Sequence, residues 1–271
     1  MKPVGFALVL LALIPLFTGC GNKGSSEQEK PAVVVFAAAS LRDVVRDIGV
    51  RFAEMHQVDL IYNFAGSNTL AQQLRAAPAA DVFLSANPDW IDMLERAELI
   101  LPGSRRNFLS NRLVLISRKD AEVQLSVPRM LPALAFSFLA LADPEAVPAG
   151  RYAKTFLRAV KTADHSIWEA VKDKIVPTAD VRATLGLVES DPNIVGIVYR
   201  TDAMSSDQVQ VVYEVPPGLH QPIVYCAAAL KNRPQPTLVA QFLDFLHSPV
   251  ARAIYNTQGF VVDEGGTRPL S

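Results

Sequence analysis

Two cysteines and four histidines are all the thiol and imidazole groups that this chain of 271 residues offers to a zinc site or a disulfide, and neither set is clustered. His56, His165, His220 and His247 fall singly, and Cys20 lies far from Cys226, so no zinc-ligand spacing exists. Cys226 sits in the apolar run PIVYCAAAL and reads as a small buried hydrophobe. Net charge is equally scarce. A formal charge of −1 argues against the basic face that a nucleic-acid backbone requires. Also missing are internal repeats, long charge blocks, a G-x-S-x-G nucleophile turn and any distinctive pair of glycosidase carboxylates. An exported hydrolase using Ser40 or Ser67 would have to find its His–acid partner at a distance in the fold.

The longest apolar run without charge lies at the start. MKPVGFALVLLALIPLFTGC has one early Lys, an apolar stretch broken by Pro15, and small residues before Cys20. That is the pattern of an export signal, too short and wrongly flanked for a stable membrane span. Its ending FTGC is similar to a bacterial lipoprotein signal, with Phe17 where Leu is usual. Cleavage would make Cys20 a lipidated N-terminus and, by removing Lys2, change the formal charge from −1 to −2. The polar, apolar-free GNKGSSEQEK, Gly21–Lys30, reads as a flexible tether. The expected divisions are a signal over 1–19 and a tether over 20–31.

Beyond the tether, strand and helix patterns alternate, which is the mark of an α/β protein with a mostly parallel sheet. Val33–Ala37 is a continuous apolar run suited to a strand covered on both faces. Leu41, Val44, Val45, Ile48 and Phe52 then lie on one helical stripe. The second half repeats the style, so two α/β units with one sheet each are expected. Arg112–Lys119 and Pro222–Leu230 are the longest candidates for strands passing between them.

Small-residue turns feed helix starts at several points. AAAS places Ser40, an N-cap type of residue, before the first helix, and Gly66-Ser67 precede the second. Pro148-Ala149-Gly150 precede another, and Asp180 precedes the helix from Val181. Helix starts leave backbone N–H groups unpaired, and in an open α/β sheet such junctions gather at the carboxyl ends of strands. Together they would form a site for a multiply charged anion, with about half a positive charge at each helix end.

Read in order, FAAASL, FAGSNTLA, ADVFLSA, DPEAVPAGRYAK, DVRATLGLVE and GIVYRTDA resemble the periplasmic molybdate-binding proteins of ABC transporters, from Val33 to Phe260. The resemblance implies a type II two-lobe periplasmic-binding-protein fold, each lobe a mixed sheet flanked by helices and joined by hinge strands. It divides the chain into lobe 1, over 32–113 and 227–271, and lobe 2, over 114–226. It implies that Ser40 and Ser67 bind molybdate or tungstate through hydroxyl and backbone N–H, Ala149 and Val181 through backbone N–H, and Tyr199 through its phenol. Molybdenum would enter only as the oxyanion, with no catalysis, no cofactor, a membrane permease as partner, and a lipid-anchored monomer outside the cytoplasm. Gly66, Asn68 and LADPE depart from some relatives, but each implied ligand position holds the expected residue. Arg42, Arg151 and Arg182 follow these positions closely and are expected to point outward as a solvated face. Sulfate, another oxyanion or a small organic acid are the alternative ligands.

Overall fold

The computed structural model describes residues 30–262, so the expected signal, Cys20 and all but the end of the tether lie outside the described residues. In chain order the elements begin β1 (Ala32–Ala38), α1 (Arg42–His56), β2 (Asp59–Ala65), α2 (Ser67–Ala76), β3 (Val82–Ser85), α3 (Pro88–Arg96) and β4 (Arg106–Ser110). Next come β5 (Leu113–Arg118), β6 (Phe138–Ala142), α4 (Pro148–Ala159), α5 (Ile167–Val171), β7 (Ile175–Thr178) and α6 (Val181–Ser190). The remainder is β8 (Ile194–Tyr199), α7 (Arg200–Met204), β9 (Val209–Glu214), β10 (Val224–Ala229), α8 (Pro236–Phe245) and α9 (Pro249–Thr257).

Two five-stranded sheets result, ordered β2-β1-β3-β10-β4 and β7-β6-β8-β5-β9. They share one plan. Three parallel strands (β1, β2 and β3; β6, β7 and β8) are followed by an antiparallel one and an antiparallel edge. Each sheet is therefore mixed, where periodicity alone suggests a mostly parallel one. Neither of the two long strands passes between sheets: β5 pairs wholly in the second and β10 wholly in the first. The chain crosses instead at Asn111-Arg112 and within 215–223.

Alternation along β1 explains how helices cover both faces of the first sheet. Val33, Val35 and Ala37 point into the core shared with Val44, Ile48 and Phe52 of α1. Phe36 points the other way, into a cluster with Leu70 and Leu74 of α2 and Ile91 and Leu94 of α3. Cys226 belongs to that second cluster, fully buried, its thiol against Asn107 Oδ1 at 3.0 Å and pushed up to about 12 by burial. Each large side chain buried this way contributes about 1.5–3 kcal/mol.

Three elements escape the sequence patterns: β4, β7 and α7, of five, four and five residues. β4 and β7 are edge strands with one neighbour each, and β7 contains Pro177, which only an edge tolerates.

Candidate functional site

The carboxyl ends of β1, β2, β6, β7 and β8 converge, and each leads into a helix start. Ser40 lies in a short 3-10 turn, Ala39–Leu41, that runs into α1. Its hydroxyl does not cap that helix, contrary to its N-cap position in the sequence, but meets Tyr225 Oη at 3.1 Å. Ser67 is the first residue of α2, and its Oγ accepts from the Ala86 amide at 3.0 Å. Pro148 opens α4 and has no N–H to lose, leaving those of Ala149 and Gly150 as the first free donors. Gly150 is required here, because a Cβ would collide with the carbonyls of Ala142 and Asp143. Asp180 does cap: its Oδ1 accepts from Arg182 N at 2.9 Å and Ala183 N at 3.0 Å. With those two amides taken, the Val181 N–H is the free one at the tip of α6.

Ser40, Ser67, Ala149, Val181 and Tyr199 all line a single cavity of about 10 Å³ between the two sheets' helices. That is about the volume of a single water-sized sphere, so the surrounding helix starts stand close together around it. Ala38, Ala39 and Ala86 keep side chains out of it. Tyr199 is 1 % exposed, and its hydroxyl has no hydrogen-bond partner among the described residues. Burial pushes its acidity well away from neutrality, so it stays a donor. An unpaired buried hydroxyl costs about 1–3 kcal/mol, an expense that an acceptor in the cavity would offset. Among the described residues, the only carboxylate in the lining is Asp180, already occupied with its own helix.

The arginines are not a solvated face. Arg182 bridges the lobes: Nη2 reaches Asp43 Oδ2 of α1 at 2.6 Å, and Nη1 meets Ser205 Oγ at 2.8 Å. Its Nε forms a 2.7 Å ion pair, not an aligned hydrogen bond, with Asp202, whose side chain is 0 % exposed. Arg151 reaches Asp89 of α3 at 3.0 Å and stacks over Trp90 at 5.2 Å, again from one lobe to the other. Arg42 stacks over Phe64 at 5.8 Å. Among the described residues, no arginine lines the cavity. Sequence reading misses this bridging role because Asp43 and Arg182 are separated by 139 positions. It misses Tyr225, Asn111 and Thr201 for the same reason: Tyr225 lies 185 positions from Ser40, inside what reads as a plain apolar strand.

The sequence profile of a bacterial extracellular solute-binding protein family matches residues 33–261. The molybdate-binding protein ModA of Escherichia coli is 36 % identical over 244 residues, covering 88 % of this chain and 92 % of its own. A Bacillus subtilis protein, provisionally named an ABC transporter substrate-binding lipoprotein, is 31 % identical over 97 % of this chain and 99 % of its own. Among solved structures, the periplasmic molybdate-binding protein of Azotobacter vinelandii aligns with a TM-score of 0.76 over 86 % of this chain and all of that one. At 21 % identity that likeness speaks for the fold, the type II two-lobe arrangement.

Proposed function

The chain belongs to the bacterial extracellular solute-binding protein family, and on that premise we propose that it captures molybdate or tungstate between its lobes and delivers it to the membrane permease of an ABC importer. One observation carries the choice of ligand: the partnerless Tyr199 hydroxyl faces a small cavity ringed by helix starts and two serines. In this reading Ser40, Ser67, Ala149, Val181 and Tyr199 surround the oxyanion with neutral donors. Each hydrogen bond to a charged group contributes about 1.5–3 kcal/mol net, so the set offsets desolvation without a cation. The names of the relatives that match over most of the chain support the same ligand.

A site built of donors also discriminates. Hydrogen phosphate carries a proton that needs an acceptor, and leaving it unpaired is penalised heavily. Sulfate is smaller, so its contacts would be stretched. The protein binds and releases its ligand unchanged, without a cofactor, as a monomer. The lobes divide at the two crossings, and lipid on Cys20, after removal of 1–19, holds the protein at the membrane by its tether. The lipoprotein name of the Bacillus subtilis relative supports that anchor.

The test is a thermal-shift panel followed by calorimetry. Molybdate and tungstate at a hundredfold excess over Kd should stabilise the native state by about 2.7 kcal/mol. Sulfate should do less, and phosphate least. A panel in which molybdate and tungstate leave the melting point unmoved sinks the proposal.

A further inference from the structure

We infer that Tyr225 is a positioning residue that holds the Ser40 hydroxyl as a donor toward the cleft, and so sets selectivity against protonated oxyanions. The inference rests on the function proposed above and adds a residue outside the cavity lining. Its basis is a chain of four side chains: Ser40 Oγ to Tyr225 Oη at 3.1 Å, Tyr225 Oη to Asn111 Nδ2 at 3.1 Å, and Asn111 Nδ2 to Thr201 Oγ1 at 2.9 Å.

The direction of each bond follows from one backbone group. The Arg112 amide donates to Asn111 Oδ1 at 2.9 Å, which fixes the amide of that side chain in one orientation. Turning it over would set N–H against N–H. Asn111 Nδ2 therefore gives its two protons to Tyr225 and Thr201. Tyr225 is fully buried, and burial keeps its phenol protonated. It accepts from Asn111, and among the described residues the one oxygen placed to receive its proton is Ser40 Oγ. With Tyr225 donating, the single proton of Ser40 is left for the cleft. Ser67 is set the same way, by a backbone donor, the Ala86 amide. Tyr225 does for Ser40 what Ala86 does for Ser67.

The chain also spans the hinge. Tyr225 is on β10 of the first sheet, Asn111 in the crossing between sheets, and Thr201 on α7 of the second lobe. The contact of Asn111 with Thr201 thus joins the polarity of Ser40 to the meeting of the lobes.

The experiment is calorimetry with molybdate on the wild type, Tyr225→Phe, Ser40→Ala and the double variant, with phosphate as a competing ligand. Tyr225→Phe should weaken molybdate about 5-fold or more. It should also narrow the molybdate-to-phosphate ratio, because a freed Ser40 can present a lone pair to the phosphate proton. In the Ser40→Ala background the same change should have no further effect. Asn111→Asp is the second variant: its carboxylate accepts from the Tyr225 hydroxyl, so Ser40 donates back to Tyr225, and molybdate weakens with the phenol still in place. Unchanged affinity and ratio in Tyr225→Phe, or an effect that persists in full without the Ser40 hydroxyl, overturns the inference. A wild type that binds neither molybdate nor tungstate overturns the proposed function and this inference with it. A wild type that binds them while Tyr225→Phe behaves identically overturns this inference alone.

Discussion

Arg182 Nη2 and Asp43 Oδ2 lie 2.6 Å apart, joining the first turn of α6 to the first turn of α1 across the cleft. Each stands within three positions of a residue that lines the cavity, Val181 and Ser40 respectively. The ion pair therefore ties together the two helix starts that an anion would bridge. The Arg182 side chain is only 19 % exposed and is held from its own lobe by Ser205 and Asp202, so little side-chain entropy is lost when the pair forms. Arg182→Ala should loosen the closed state and weaken molybdate several-fold, chiefly through faster release. Scattering should show a smaller radius of gyration with molybdate in the wild type and a lesser contraction in the variant. An identical radius with and without saturating ligand in the wild type would mean a preformed pocket, and the closure argument would fail.

Asp202 gives stability an unusual pH dependence. Burial pushes its carboxyl up to about 6, with Arg182 pulling the other way and Asp180 adding to the rise. A folded pKa above the unfolded one means the contribution is fully present below about pH 4 and is lost as pH rises through about 6. Asp202→Asn lacks this titration. The stability of the wild type relative to that variant should therefore increase on acidification from about pH 7.5 to 4.5, by on the order of 2 kcal/mol. Chemical denaturation across that range is the measurement; a difference that stays flat would show that Asp202 is ionised throughout.

Tyr199→Phe keeps the ring and removes one buried hydroxyl that has no partner among the described residues. Molybdate binding should weaken by about 1.5–3 kcal/mol, the contribution of a hydrogen bond to a charged group. Apo stability should stay level or rise, since an orphan polar group disappears. Calorimetry and melting of the apo protein read the two effects separately, and a large loss of apo stability would speak against a phenol poised for ligand.

Gly150→Ala should be the opposite case, damaging the fold. The added Cβ meets the backbone carbonyls of Ala142 and Asp143, neither of which can swing aside as a side chain can. Overpacking of this kind costs about 1–3 kcal/mol, and a backbone obstacle places it at the upper end. A melting point equal to that of the wild type would show that α4 shifts freely against β6.

Cys20→Ser tests the anchor. Two or three acyl chains hold a protein stably at a membrane where one is marginal, so the wild type should sediment with membranes and the variant should be released. Soluble wild-type protein would refute the lipoprotein reading.

Local chemistry was enough to place most of the fold. Continuous apolar runs marked β1, β5 and β10, a helical stripe marked α1, and Asp180 stood before the helix it caps. These depend on near neighbours, which a sequence displays directly. The motifs also named five positions that the structure gathers around one cavity. Short edge elements such as β4 and β7 were invisible, because one neighbour and few residues leave no periodic signal. Tertiary structure alone decided what the side chains do. Ser40 stands where a cap belongs, yet its hydroxyl turns to a tyrosine 185 positions away; Arg182 stands where a solvated face belongs, yet it spans the cleft. A hydroxyl or guanidinium pairs with whatever polar group the packed core brings within 3 Å, and that distance is set by how two sheets meet rather than by any local pattern.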